Sequence, residues 1–212
     1  MEFQEIVHRC FRCGYCKFTD DYQDINCPSY RKAGFDTYAP GGRMWLINAW
    51  LRQEVKTSSR YAEILYSCVT CGNCKEHCVF KFKDDLLNIF EAARSELVNE
   101  GLVPPAVRDY FRAVSVNGNP YRLPREERGK WAEGTGIPAF SGQEFLFYVG
   151  DAGSCDERGK KMARAVGVLL AGAGFSIGIL GSEESSDGND VKAMGERGLF
   201  TQLAENNIRK FT

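Results

Sequence analysis

Apolar residues recur at helical spacing through the first half of the chain. Met44, Ile47, Leu51 and Val55 form one stripe, and Tyr61, Ile64, Leu65 and Cys68 form a second, with the polar run Lys56–Arg60 between them. Steps of three and four place such side chains on one helix face, so each stripe predicts an amphipathic helix. Gly41 and Gly42 stand before the first. A third stripe, Leu86, Phe90, Ala93 and Leu97, is stopped by Gly101 and the pair Pro104-Pro105. Val107, Tyr110, Phe111 and Val114 predict a short helix beyond the prolines.

The period then changes. Residues 117–142, "NGNPYRLPREERGKWAEGTGIPAFSG", are rich in glycine, proline and charge and predict a long connector. "EFLFYV" at 144–149 predicts a buried strand, and Gly150 to Ser154 a tight turn. A helix is expected from Asp156 to Ala173 through Met162, Val166 and Leu170, with Ser154 or Asp156 as its cap. "FSIGIL" at 175–180 predicts a second strand. A loop of Ser, Asp, Glu and Gly leads to a last helix with Phe200, Ala204, Ile208 and Phe211 on one face. The order β-α-β-α implies parallel strands joined by a right-handed crossover. Parallel sheets are normally wider than two strands and covered on both faces, so the pattern predicts only part of a domain.

Composition changes this picture little. The 212 residues are 43% apolar and 26% charged, and the net charge of −1 gives no reason to expect nucleic acid or an anionic membrane as partner. "MEFQEIVHRC" has no apolar signal region. The longest uncharged run, Val166 to Gly181, is too short for a bilayer-spanning helix, and its Gly-Ala-Gly centre suits a helix end followed by a strand. The expectation is a cytoplasmic protein with no transmembrane segment; peripheral association with a membrane partner stays open. The cytosol keeps thiols reduced, so nine cysteines argue for metal rather than disulfides.

Eight of the nine cysteines fall in two stretches: "CFRCGYCKFTDDYQDINCP", Cys10 to Pro28, and "CVTCGNCKEHC", Cys68 to Cys78. Cys155 stands alone. A C-x2-C-x2-C run wraps three thiolates around one iron–sulfur cube, and in two-cluster ferredoxins the remote fourth cysteine ligates the other cube. On that scheme Cys10, Cys13, Cys16 and Cys78 hold one [4Fe–4S] cluster, and Cys68, Cys71, Cys74 and Cys27 the other. Gly14 and Gly72 let the backbone curl around the sulfurs. Structural zinc is the competing reading, but it favours paired C-x2-C units with four ligands per site. Val79 stands where the second run would usually have proline. His77, between ligands, reads as an exposed or supporting residue. Lys17, Lys75, Lys81 and Lys83 read as a solvated face. Some forty residues of helical pattern between the runs favour an all-α ferredoxin-type domain over the β-rich kind.

With these runs the chain resembles the iron–sulfur subunits related to heterodisulfide reductase. The resemblance also rests on "GNPYRLPREERGKW" (118–131) and on "YVGDAGSCDERGKKMARAVGVLLAGAGFSIGILGSEESSDGND" (148–190), which resembles the start of a CCG domain. It implies a ferredoxin-type domain at 1–116, a connector at 117–142 and a partial α/β CCG-like domain at 143–212. The family's Gly-Cys is here Gly150-Asp151, its Cys-Cys-Gly is Ser186-Asp187-Gly188, and Cys155 falls four places after the first expected ligand. The resemblance therefore implies a recognisable shell without its cysteine ligands.

Three functions compete. The leading one is a non-catalytic electron-transfer subunit of an oxidoreductase complex, with a flavoprotein as redox partner and no catalytic residue of its own. The second is a catalytic disulfide-reductase subunit, resembling heterodisulfide reductase D and truncated here. The third, a nucleotide-binding turn at "GDAGSCDERG", lacks G-x-G-x-x-G, and Asp151 would repel phosphate.

Overall fold

Proline and glycine set the helix boundaries of the first half. The computed structural model describes residues 1–18 and 24–211. The chain divides into two units, Met1–Val107 with Asp190–Arg197, and Arg108–Asn189 with Gly198–Thr212.

The first unit holds α1 (Gln4–Val7), α2 (Pro28–Ala33), α3 (Pro40–Leu51), α4 (Ser59–Tyr66), α5 (Asn73–His77) and α6 (Leu86–Asn99). Pro28 and Pro40 open their helices, where a missing N–H costs nothing and φ is already helical. Gly34, at φ 73°, closes α2 by donating its N–H to the Tyr30 carbonyl. The Ser58 side chain caps α4 by accepting from the Tyr61 N–H. Met44 and Ile47 of α3, Tyr61 and Leu65 of α4, and Ile89, Phe90 and Leu97 of α6 meet in one buried core. The expected stripes therefore form that core, with Val55 and Cys68 lying past the ends of α3 and α4. Gln53, in the left-handed region at φ 62°, turns the chain before Val55.

Residues 190–197 pack with this unit. Arg94 donates to the Ala193 carbonyl (2.7 Å), and the Tyr66 hydroxyl donates to the Met194 carbonyl (2.9 Å). Gly195 lies so close to the Arg94–Ser95 backbone that a Cβ would sit 2.5 Å from Ser95 N. Helix α7 (Pro105–Asn117) carries the division between the units at Val107 and Arg108.

The second unit contains β1 (Phe145–Leu146), α8 (Gly150–Cys155), α9 (Glu157–Gly172), β2 (Ile177–Gly178) and nearly all of α11 (Arg197–Phe211), whereas α10 (Asn189–Ala193) falls almost wholly in the first. The strands are parallel, with Phe145 opposite Ile177 and Leu146 opposite Gly178. They are shorter than the apolar runs predict. The Val149 and Gly150 N–H groups donate to the Glu184 carboxylate, and Ile179 exchanges bonds with Pro138 and Phe140. Donors beyond β1 are thus spent on Glu184, while Ile179 forms a parallel bridge with Ala139 on the other side of β2. Helix α8 replaces the expected tight turn, and Asp156 caps α9 by accepting from Arg158 and Gly159.

The pattern of residues 117–142 predicts a connector, but they are built into this second unit. A 3-10 helix runs from Arg125 to Ala132, and its Arg128 and Trp131 are buried. Trp131 packs with Ala163 and Ile179 and meets the Phe147 ring edge-on at 5.7 Å. Charge and glycine argue for exposure; burial is achieved because Arg128 finds two carboxylates inside. Among the described residues no helix is long and apolar enough to cross a membrane.

Gly42 tests the packing of α3. A Cβ there would lie 1.7 Å from the Asp36 carbonyl oxygen and 2.8 Å from Thr37 Cα. Gly42→Ala should therefore cost about 2–3 kcal/mol in denaturant unfolding, as backbone must move to admit the methyl. Gly172→Ala, at a helix end with open space around it, should leave stability within about 1 kcal/mol of the parent.

Candidate metal centre

Both cysteine runs follow the same backbone path. Arg12 (φ 58°) and Thr70 (φ 51°) precede the second cysteine of each run, and Gly14 (φ 94°) and Gly72 (φ 81°) follow it. Two left-handed residues around one cysteine curl the chain tightly, a conformation that L side chains adopt only under constraint. The third cysteine of each run then sits on a short helical turn, Cys16 on Tyr15–Lys17 and Cys74 on α5. Cys27 directly precedes α2 and Cys78 directly follows α5.

The eight thiols gather in two sets. Cys10, Cys13, Cys16 and Cys78 line one cavity, with Phe80, Phe82 and Leu86. Cys27, Cys68, Cys71 and Cys74 line another, with Ser29, Arg43 and Leu87. The two cavities are similar in size. Pro40, the first residue of α3, lines both. Beside it, the Gly41 backbone N–H donates toward Cys16, so the positive end of α3 faces sulfur. The Arg12 and Phe80 N–H groups serve Cys10 and Cys78 in the same way.

The arrangement fits polynuclear clusters better than single ions. Among the described residues no three Cys, His, Asp or Glu side chains close on one metal ion. Zinc would need its sulfurs gathered at about 2.3 Å from a common point. The thiols also crowd one another. Burial first, then Cys10, Cys13 and Cys78, push Cys16 up to about 12 against the Gly41 N–H. Burial, then Cys68, Cys16, Cys71 and Cys27, push Cys74 up to about 12. Positive charge beside Cys16 and Cys74 would favour their thiolates, and bound iron would supply it.

Sequence reasoning missed two buried arginines. Arg43 is fully buried against the second cavity, and Arg94 is 2% exposed. Arg94 donates to the Leu65, Cys68 and Ala193 carbonyls. A signal was available: Arg94 stands four residues after Phe90 and three before Leu97, on the apolar face of α6. Of the lysines, Lys81 is exposed and Lys17, Lys75 and Lys83 are half-buried; Lys17 pairs with Asp36 (2.8 Å) and Lys75 with Asp84 (3.1 Å). Val79 is exposed, and His77 is half-buried at the end of α5.

In the second unit the positions singled out by sequence are occupied by protein bonds. Asp151 pairs with Arg128 at 2.7 Å. Ser186 accepts from the Gly188 N–H, and Asp187 accepts from the Asn189 N–H. Arg128 also bonds Glu184 at 3.0 Å, and that carboxylate accepts from Val149, Gly150 and Ser154. Burial pushes the Glu184 carboxyl up, opposed mainly by Arg128. Cys155 is buried beside this network, and burial raises its thiol.

Comparison with known proteins agrees with the thiol geometry. Residues 6–82 match the 4Fe-4S dicluster domain. The chain is 34% identical to a probable iron–sulfur-binding oxidoreductase of Bacillus subtilis, over 70% of this chain and 22% of that protein. It is 27% identical to an EtfAB:quinone oxidoreductase of Syntrophomonas wolfei, over 95% of this chain and 33% of that one. It is 23% identical to the D subunit of the dihydromethanophenazine:CoB–CoM heterodisulfide reductase of Methanosarcina barkeri, over 94% and 50%. The chain thus spans between about a fifth and a half of the length of these relatives. No solved structure matches it significantly.

Arg128→Met tests the polar network. It keeps bulk but leaves the 3% exposed Glu184 without its counter-charge. The expected loss is about 3–5 kcal/mol in denaturant unfolding of the second unit. Because burial raises the Glu184 pKa above its unfolded value, the folded variant binds the extra proton. Its deficit should therefore shrink as pH falls through that raised value. Adding Glu184→Gln should recover part of the loss.

Proposed function

Because the chain belongs to the heterodisulfide reductase-related iron–sulfur subunits and carries two [4Fe–4S] clusters, we propose that it is an electron-transfer subunit. It would relay electrons between a flavoprotein and an acceptor within an oxidoreductase complex. The observation that carries this reading is the gathering of eight thiols into two sets that share Pro40. Each cluster, when bound, supplies a one-electron couple. The chain supplies the rest. In this reading Cys10, Cys13, Cys16 and Cys78 ligate one cluster and Cys27, Cys68, Cys71 and Cys74 the other. The Gly41, Arg12 and Phe80 N–H groups stabilise thiolate charge, and Phe80 and Phe82 exclude water from the first site. The relative named as an EtfAB:quinone oxidoreductase supports a role in passing electrons between partners.

We read residues 143–212 as a partial CCG-like domain without a cluster of its own. The parallel pair and crossover helix are consistent with it. Asp151, Ser186 and Asp187 offer hard oxygens that are already bonded, whereas iron–sulfur sites use soft thiolates. The similarity to the D subunit of a heterodisulfide reductase favours a second reading, a catalytic disulfide-reductase subunit.

Anaerobically prepared protein should contain about eight irons per chain. Cys27→Ser should perturb chiefly the cluster of Cys68, Cys71 and Cys74 in site-selective spectra. Reduced protein should hand electrons to a flavoprotein or a quinone and should not be oxidised by a disulfide. Stoichiometric zinc without charge-transfer absorption would end the cluster reading. Turnover of a disulfide by the chain alone would replace the relay with the catalytic one.

A further inference from the structure

Arg43 is a buried cation whose hydrogen-bond acceptors among the described residues are all neutral. It is 0% exposed and lines the cavity of Cys27, Cys68, Cys71 and Cys74. Its Nε donates to the Ile64 carbonyl (2.9 Å), and its Nη2 donates to Ser29 Oγ (2.9 Å) and Ser67 Oγ (2.7 Å). Its Nη1 is buried with no partner among the described residues. All three acceptors are neutral. A guanidinium cannot escape burial by losing its proton, so the site needs a negative group against it. The thiolates of this cavity are the negative groups at hand. Ser29 also links the two, since its Oγ lies 3.3 Å from Cys27 Sγ.

The two thiol sets differ in this respect. Arg94, also buried, donates to the carbonyl of Cys68 (2.5 Å) and to Leu65 and Ala193, all neutral acceptors. Beside the first set, among the described residues, no arginine is fully buried; Lys17 and the Lys83 that faces Cys78 are half-buried. Arg12 is exposed and stacks over the Trp45 ring at 4.4 Å, and Lys17 is neutralised by Asp36. Water screens such charges, whereas a buried guanidinium acts at short range in low dielectric.

We propose that Arg43 is the internal counter-charge of the cluster held by Cys27, Cys68, Cys71 and Cys74, and that it makes this cluster the more easily reduced of the two. The proposal rests on the ligand grouping given above. One added electron gives a cluster one further negative charge, and that charge is stabilised most where a buried cation already faces it. An electron shared by the pair therefore resides on the second cluster. The serines and the Ile64 carbonyl hold the guanidinium in place, which makes Arg43 a positioning residue for charge and not a ligand.

The test is an anaerobic titration of the whole cluster-loaded chain with dithionite, followed by electron paramagnetic resonance. Cys27→Ser and Cys10→Ser identify which signal belongs to which cluster. In the parent the first electron should appear on the cluster whose signal Cys27→Ser alters. Arg43→Gln should move the ratio of the two reduced populations at least about tenfold toward the other cluster, equal to 59 mV for a one-electron couple. Arg43→Lys, which keeps the charge and loses the fork of hydrogen bonds, should retain most of the parent ratio. An unchanged ratio in Arg43→Gln, or an equal shift of both clusters, overturns the proposal. If Arg43→Gln fails to hold iron, Arg43→Lys decides: a ratio moved tenfold with the charge kept overturns it, and a retained ratio supports it. The ligand grouping fails separately, if Cys27→Ser alters the same signal as Cys10→Ser.

Discussion

Negative charge from clustered thiolates has to be accommodated inside a small helical unit, and much of that unit's architecture answers this requirement. The N-terminus of α3 is driven between the two thiol sets, with Pro40 against both and the Gly41 N–H aimed at Cys16. Proline suits that position because the first helical residue needs no N–H; at Gly41 the Cys10 and Cys16 sulfurs lie 3.8 Å from where a Cβ would stand, so the helix start runs in contact with both. Two residues along, Arg43 is buried against one set. Arg94 of α6 binds the Cys68 carbonyl and braces the loop that starts the second run. Apolar packing from α3, α4 and α6 fixes these groups, so the hydrophobic core serves as the frame that holds charge in register.

The second unit solves the reverse problem. There the buried charge is Arg128, and the protein surrounds it with Asp151, Glu184 and the Gly118 carbonyl. Breaking one partner of such a network costs much more than the network gains over an apolar core. The network also takes up the backbone donors that would have extended the sheet, since Glu184 accepts from Val149 and Gly150. A short sheet, a buried 3-10 helix and the engagement of Asp151 thus have one cause. Oxygen atoms committed to an arginine and to neighbouring N–H groups are poorly placed to serve as metal ligands.

The cysteine spacing by itself determined the chemistry, because C-x2-C-x2-C is a local arrangement whose geometry needs only a few residues of backbone. Helical periodicity likewise determined α3, α4, α6 and α9 and the residues that meet in the first core, because burial follows from facing. Strand order also predicted the parallel pair. Tertiary structure alone decided what depends on contacts between distant residues. It gathered Cys27 with a run more than forty residues away. It buried Arg43, Arg94 and Arg128, which composition marks as surface residues, because carbonyls, hydroxyls and carboxylates from other elements converge on them. It drew 117–142 into a core and 190–197 into the first unit, since such placements turn on partners that no local pattern encodes.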